Sequence, residues 1–486
     1  MGYERSSLET PEFKVLTKSQ CQRIHSGALE VLERVGVKVF HQGALSMLKD
    51  AGAWVDGNIA RIPSFMVEEA IRSAPPKIII YNRDGKPSMK LEGTNSYYGT
   101  GSDCPNILDS FTGEIRRFTQ EDIGNAALIA DALPNIDFIM SLGLISDKPV
   151  ETTDLYQFQE MVFNSQKPIV FTCHDLRGNK DILEMASIVA DTKQELVQNP
   201  FIIHYIEPSS PLRHSKEAVD KLLFSSEAGI PLIYTPCPSG GATAPVTLAG
   251  NIVLTLAESL SGVVISQLKR KGAPVIIGGV ITVMDMRTTA YCYGAAEFHI
   301  LSAALAEMSQ FLGLPMFGTA GCSDSKCLDS QAAIEATLSI ALQGLSGANL
   351  IHDVGYIGSG LIGSFDMLVM SDEIIGMAKR FMQGIPTTKE DLAVDLIHKV
   401  GPGGSYLAEE HTVKHFRTEH WYPRLMDRSD YAKWCSEGGK TLAQRTNEMV
   451  KEILEEYKPS PLEEKKQEEI MALIRNEAKS RKLGEE

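Results

Sequence analysis

Eight short apolar runs recur along the middle of the chain, roughly 30 to 43 residues apart. They are YYGTG (97–101), FIMSLGLIS (138–146), PIVFT (168–172), FIIHYIEP (201–208), PLIYTP (231–236), PVIIGG (274–279), PMFGTA (315–320) and NLIHD (349–353). Between most of them lie stretches with apolar residues at helical spacing, such as Thr119 to Leu133, Asp181 to Asp191, Ser215 to Glu227 and Leu248 to Lys271. Strands separated by helices run parallel and are covered on both faces, which accounts for their unbroken apolar character. Eight such units predict a closed (β/α)8 TIM barrel over residues 96–385, with an open doubly wound sheet as the rival arrangement.

The flanks read differently. Residues 18–36, Gln42 to Gly52 and Pro63 to Ser73 predict helices, the last with Pro63 at its first position. Lys77 to Tyr81 predicts a strand, so residues 1–95 form a small α+β region packed on the barrel. Residues 386–486 predict a helical C-terminal extension. Its last segment, Pro461 to Leu483, is rich in Lys and Glu and predicts a solvated or partner-covering helix.

A net charge of -15 argues against nucleic acid or an anionic membrane as partner. Eight cysteines in 486 residues are no disulfide framework and fit reduced thiols. The N-terminus has no apolar signal core, and its myristoylation pattern at Gly2 and Ser6 reads as a chance match. No apolar run approaches the ~20 residues of a membrane span. Together these predict a cytoplasmic protein.

In a barrel of this kind chemistry sits at the C-terminal ends of the strands. Those ends hold Asp103, Cys173, Glu207, Cys237, Cys322, Lys326, His352, Asp353 and Tyr356. Aromatic residues crowd the same rim: Tyr97, Tyr98, Tyr205, Tyr234, Tyr291, Tyr293, Phe317 and Tyr356. Carboxylates among aromatic faces suit an organic cation, since cation–π contacts contribute about 0.5–2 kcal/mol each.

Other motifs carry less. Gly358 to Gly363 spells GxGxxG, but at the end of the barrel rather than the opening of a βαβ unit; a glycine-lined anion nest is the fallback. Cys322 and Cys327 with His352 or His299 could bind zinc, although the spacing matches no closed structural site. His411 and His415 lack the Glu of HExxH. Lys326 could form a Schiff base, yet lies between Asp324 and Asp329 and reads as a paired cation.

Four segments carry a resemblance: HSGALEVLERVGVKVFHQGALSMLKDAGAWVDG, YYGTGSDCPNILDSFTGEIRRFTQEDI, GTAGCSDSKCLDSQAAIEATLSIALQGLSGANLIHDVGYIGSG and EEHTVKHFRTEHWYPRLMDR. They resemble the trimethylamine methyltransferase family in its broad sense, over nearly the whole chain. The resemblance implies a TIM barrel and transfer of a methyl group from a methylated amine to the Co(I) of a separate corrinoid (cobalamin) protein, with no cofactor bound directly. Archetypal members carry pyrrolysine, whereas this chain uses standard residues throughout. That resembles the non-pyrrolysine branch, whose substrates are quaternary amines such as glycine betaine, carnitine or proline betaine.

A quaternary ammonium already holds a neutral tertiary amine as leaving group, so the protein has to position the cation and exclude water. From strand-end position, Tyr97, Tyr98, Tyr205, Phe317 and Tyr356 are expected to face the ammonium, and Asp103, Glu207 or Asp353 to offset its charge. His352 and Arg287 are the candidates for a substrate carboxylate, and Asp103, Glu207 and His352 for catalytic contact. Two other readings stand beside this one. One is a zinc-dependent corrinoid methyltransferase for an alcohol, thiol or ether, using Cys322, Cys327 and His352. The other is a non-catalytic betaine-binding protein.

Overall fold

In the computed structural model, which describes residues 11–483, seven parallel strands lie in one sheet. Their spatial order is Tyr97–Thr100, Leu350–Val354, Met316–Thr319, Val275–Gly278, Leu232–Tyr234, Ile202–Ile206 and Ile169–Phe171. Residues 138–140 fill the eighth position through parallel bridges to both edges, Gly99 with Phe138 and Ile139 with Ile169. The expected TIM barrel is therefore the observed architecture, with all eight apolar runs at strand positions. The seam is irregular because side chains replace backbone partners there. The Met140 N–H donates to Thr100 Oγ1 at 2.7 Å, and the Tyr98 N–H donates to Asp137 Oδ2 at 3.0 Å.

Alternation along the strands sorts their side chains into two rows. Tyr97, Phe138, Met140, Val170, Ile203, Ile233, Ile276, Phe317 and Leu350 turn inward and form one apolar cluster. The same cluster includes Ile78, Ile80, Met89 and Leu91 of the hairpin Ile78–Tyr81/Pro87–Leu91, so the hairpin stoppers the bottom of the barrel. Full burial of each such aliphatic side chain contributes about 1.5–3 kcal/mol. The outward row, among it Tyr98, Ile139, Phe171, Ile202 and Tyr234, packs beneath the surrounding helices.

The first helix spans Lys18–Glu30 behind a Thr17/Gln20 capping box and ends in a π-turn, Val31–Val35. Gly36 follows at φ 80°, where a Cβ would lie 2.4 Å from the Ala60 carbonyl oxygen. Pro63 is the N-cap of helix Ser64–Ser73, not its first residue as expected. Strand Val37–Val39 pairs with Arg213–His214 from a barrel loop, which ties the N-terminal sheet to the barrel.

Helix Leu248–Lys269 is long and apolar enough to cross a membrane by length and composition. Asn251, Thr255, Glu258 and Ser261 interrupt its apolar residues, and in the structure most of it is buried. Glu258 there accepts the Leu212 N–H and the Ser210 hydroxyl.

At the C-terminus, helix Leu442–Glu456 packs on Phe365–Met382. The charged last helix, Glu464–Leu483, covers the chain's own barrel helices Thr153–Asn164 and Leu176–Val189. It buries Ile470 and Ile474, and Arg177 pairs with Glu477 at 2.7 Å. Gly2 and Ser6 lie outside the described residues.

Candidate active site

His352 and Asp353 are neighbours on one strand and should point to opposite faces. A register shift between Ile351 and Val354 breaks the alternation, and Asp353 adopts φ 70°. A bulge of this kind re-aims a side chain, and both residues end up facing the barrel axis above Phe317. The His352 ring lies 4.0 Å from the Phe317 ring and 6.0 Å from that of Tyr205, and its Nε2 is 3.3 Å from Asp353 Oδ1.

Proton positions follow from the partners. His352 Nδ1 is 2.7 Å from the Gly318 carbonyl oxygen, which can only accept, so Nδ1 carries the hydrogen. Burial lowers the His352 pKa to about 3, leaving Nε2 a bare acceptor at neutral pH. Burial, with Asp103 and Glu207 adding repulsion, raises Asp353 well above the carboxylate range. The protonated Asp353 can therefore donate to His352 Nε2, and the Tyr293 hydroxyl donates to its Oδ2 at 3.2 Å.

Two more acids complete the cluster. The Tyr356 hydroxyl donates to Asp103 Oδ1 at 2.8 Å and accepts the Asp103 N–H at 2.9 Å. The Tyr205 hydroxyl donates to Glu207 Oε1. Burial raises Asp103, and raises Glu207 to about 7; for Glu207, Asp103 adds repulsion while Tyr205 and Lys221 oppose the shift. Asp103, Glu207 and Cys237 keep accessible atoms, yet burial is the leading cause of all three shifts. Those atoms open on the barrel mouth. Gly101 is needed there, because a Cβ would sit 2.2 Å from the Tyr356 hydroxyl and 2.4 Å from Asp353 Oδ1.

The tyrosines around the acids stay neutral, since burial raises Tyr205, Tyr291, Tyr293 and Tyr356 well above the phenol range. Tyr291 donates to the Val280 carbonyl at 2.6 Å and lies 3.2 Å from Cys237 Sγ; its ring is 5.3 Å from that of Tyr293. Tyr291 and Tyr293, noted on the rim but given no role from sequence, belong to this wall. The loop register that folds them over the mouth has no local sequence signal.

Three expected contacts are corrected. Tyr98 faces the helical layer, its hydroxyl donating to the Ile340 carbonyl at 3.0 Å. Tyr97 points inward but lies at the stoppered bottom, where its hydroxyl accepts the Lys90 N–H at 3.0 Å. The Arg287 side chain is 91% exposed and is 3.7 Å from Asp285. Tyr234 likewise turns outward, 2.6 Å from His214 Nδ1. A cleft of about 680 Å³ beside Asn82, Asp191, Phe201 and Lys466 is at the other end of the barrel and holds none of these acids.

The remaining motifs are structural. Among the described residues no three His, Cys, Asp or Glu side chains come together as a metal-holding group; Cys322 is buried and Cys327 exposed. In the GxGxxG loop the N–H groups of Gly358, Ser359 and Leu361 donate to the carbonyls of Ser325, Ser323 and Gly358, so these donors form no anion nest. Lys326 Nζ donates to the Asp324 carbonyl at 2.7 Å. Cys173 Sγ lies 3.3 Å from His204 Nε2, a nucleophile-like pairing, but burial raises the thiol and lowers the imidazole. That is the reverse of what activates a thiolate.

The family model "Trimethylamine methyltransferase (MTTB)" matches residues 3–481. The chain is 35% identical to trimethylamine methyltransferase MttB of Desulfitobacterium hafniense, over 91% of this chain and 89% of that one. It is 30% identical to a glycine betaine methyltransferase of the same species, over 98% and 99%. Among solved structures, the Methanosarcina barkeri monomethylamine methyltransferase MtmB shares the fold, with a TM-score of 0.50 at 11% identity over 91% of this chain and 88% of that one. The chain belongs to the trimethylamine methyltransferase family.

Proposed function

We propose that this chain removes one methyl group from a quaternary amine and passes it to a corrinoid held by a separate protein. The observation that carries this reading is the cluster at the mouth, where Asp103, Glu207 and Asp353 meet the hydroxyls of Tyr356, Tyr205 and Tyr293. Relatives acting on trimethylamine and glycine betaine support a methylated amine as substrate. The chain's wholly standard residue set supports a quaternary one.

The corrinoid, when docked, supplies Co(I) as the nucleophile for the methyl carbon. The C–N electron pair leaves with nitrogen, so the product is a neutral tertiary amine and no proton is required. The protein's work is then positioning and exclusion of water. Aromatic faces hold the ammonium, and Asp103 and Glu207 offset its charge. Asp353, hydrogen-bonded to His352 and Tyr293, keeps the floor of the site in one geometry. Its eight unpaired thiols suit the reducing cytoplasm.

The test is a panel of quaternary and tertiary amines with a reduced corrinoid protein, following loss of Co(I) absorbance and release of the demethylated amine by mass spectrometry. Quaternary amines should react. Turnover of trimethylamine with no reaction of any quaternary amine would refute the reading.

A further inference from the structure

Residues 385–420 leave the body of the molecule and return to it. Helix Phe365–Met382 ends at the closed end of the barrel. Near that end Lys379 Nζ donates to the Asn135 carbonyl at 3.1 Å and to Asp137 at 3.2 Å, just ahead of the strand position at 138–140. Arg380 then donates to the carbonyls of Gly384 and Glu419, which pins departure and return together. The chain rejoins the body at Arg424, Leu425 and Met426, whose N–H groups all donate to Glu373.

Between these points the helices Lys389–Leu392, Val394–Val400 and Glu410–Glu419 bury no residue. The arm is braced within itself: Lys399 pairs with Glu409 at 2.6 Å, Lys414 pairs with Glu390, and the Thr412 hydroxyl donates to the Tyr406 carbonyl at 2.6 Å. Its apolar side chains nevertheless face solvent. Ile385 is 85% exposed and Leu407 84%, and Leu392, Val394, Ile397 and Val413 are each more than half exposed. Together the six expose roughly 700 Å², above the few hundred a monomer ordinarily leaves uncovered and close to the ~800 Å² each partner contributes to a stable interface.

We propose that this arm is the contact through which two copies of the chain pair. A two-fold contact uses the same patch on both subunits, so one arm supplies both halves of an interface of ordinary size. Permanently exposed apolar area also calls for a partner present whenever the chain is, and a second copy meets that condition. The arm's root lies at the stoppered end, whereas Asp103, Glu207 and Asp353 sit at the mouth. A protein that approaches the mouth therefore leaves the arm uncovered, and pairing through the arms leaves both mouths open.

Sedimentation of the full chain at micromolar concentration tests this. The parent should sediment as a dimer of its 53.2 kDa subunit or as an even multiple of one. Ile385→Asp with Leu407→Asp should halve that mass and leave the far-ultraviolet circular dichroism unchanged, because both side chains are exposed already. Amide hydrogen exchange over residues 385–420 should be slow in the parent and fast in the variant. A monomeric or odd-numbered parent would overturn the proposal, as would a variant that keeps the parent's mass or an arm that exchanges equally fast in both. A monomeric parent whose variant shows a raised KM for the corrinoid protein would give the arm to that partner instead. None of these outcomes bears on methyl transfer, which the amine panel tests separately.

Discussion

Tyr356 and Asp103 hold each other through two hydrogen bonds, one to the carboxylate and one from the backbone, although 253 residues separate them in sequence. The phenol both fixes the acid and favours its ionised form. Tyr356→Phe should leave a buried N–H and a carboxylate oxygen unpartnered, costing about 1–3 kcal/mol. KM for the amine should rise about tenfold. Thermal melts and steady-state kinetics check the two effects separately. An unchanged KM would mean that Asp103 does not meet the cation.

Gly101 separates folding from function. Its backbone does not require glycine, but a Cβ would intrude on the Tyr356 hydroxyl and the Asp353 carboxyl. Gly101→Ala should cost about 1–3 kcal/mol through overpacking and abolish measurable turnover. A folded, fully active variant, judged by circular dichroism and rate, would show that the acids need not approach so closely.

Tyr97 offers the opposite contrast. Its hydroxyl serves the hairpin at the barrel's closed end, so Tyr97→Phe should cost about 1 kcal/mol of stability. Kcat and KM should stay within about twofold of the parent. A large change in KM would place the ring in the mouth after all.

Glu207 should make both binding and stability depend on pH. It is faced by Tyr205, Asp103, Asp353, Cys237, Tyr291 and Lys221. With its pKa near 7, affinity for a cation should rise between about pH 6 and 8 as the carboxyl ionises. For stability the sign is reversed. The native pKa lies above the unfolded value of 4.5, so the native state binds more protons between them. That contribution is complete below 4.5 and is lost as pH rises through 7. Glu207→Gln should flatten both profiles, while Glu258, also raised to about 7 by burial, keeps part of the stability slope. Calorimetric titrations and chemical denaturation from pH 5 to 8 read the two curves.

Much of the barrel was legible in one dimension. Apolar runs spaced by helical stretches specify buried parallel strands, and all eight runs lie at barrel positions. Strand ends then named Asp103, Glu207, His352, Asp353 and Tyr356 as neighbours, because parallel strands finish on the same side. Three-dimensional packing decided depth and direction. Tyr97 and Tyr98 are adjacent letters, yet alternation sends one into the barrel and the other beneath the helices. His352 and Asp353 are also adjacent, and only the bulge at φ 70° turns both toward the axis. Helix Leu248–Lys269 was legible from its spacing, but the burial of its polar residues was not: they find partners in the fold, such as the loop that Glu258 secures. Periodicity records which segments must be buried. Which end of a strand is stoppered, and whether a donor is already committed, depends on contacts between residues hundreds of positions apart.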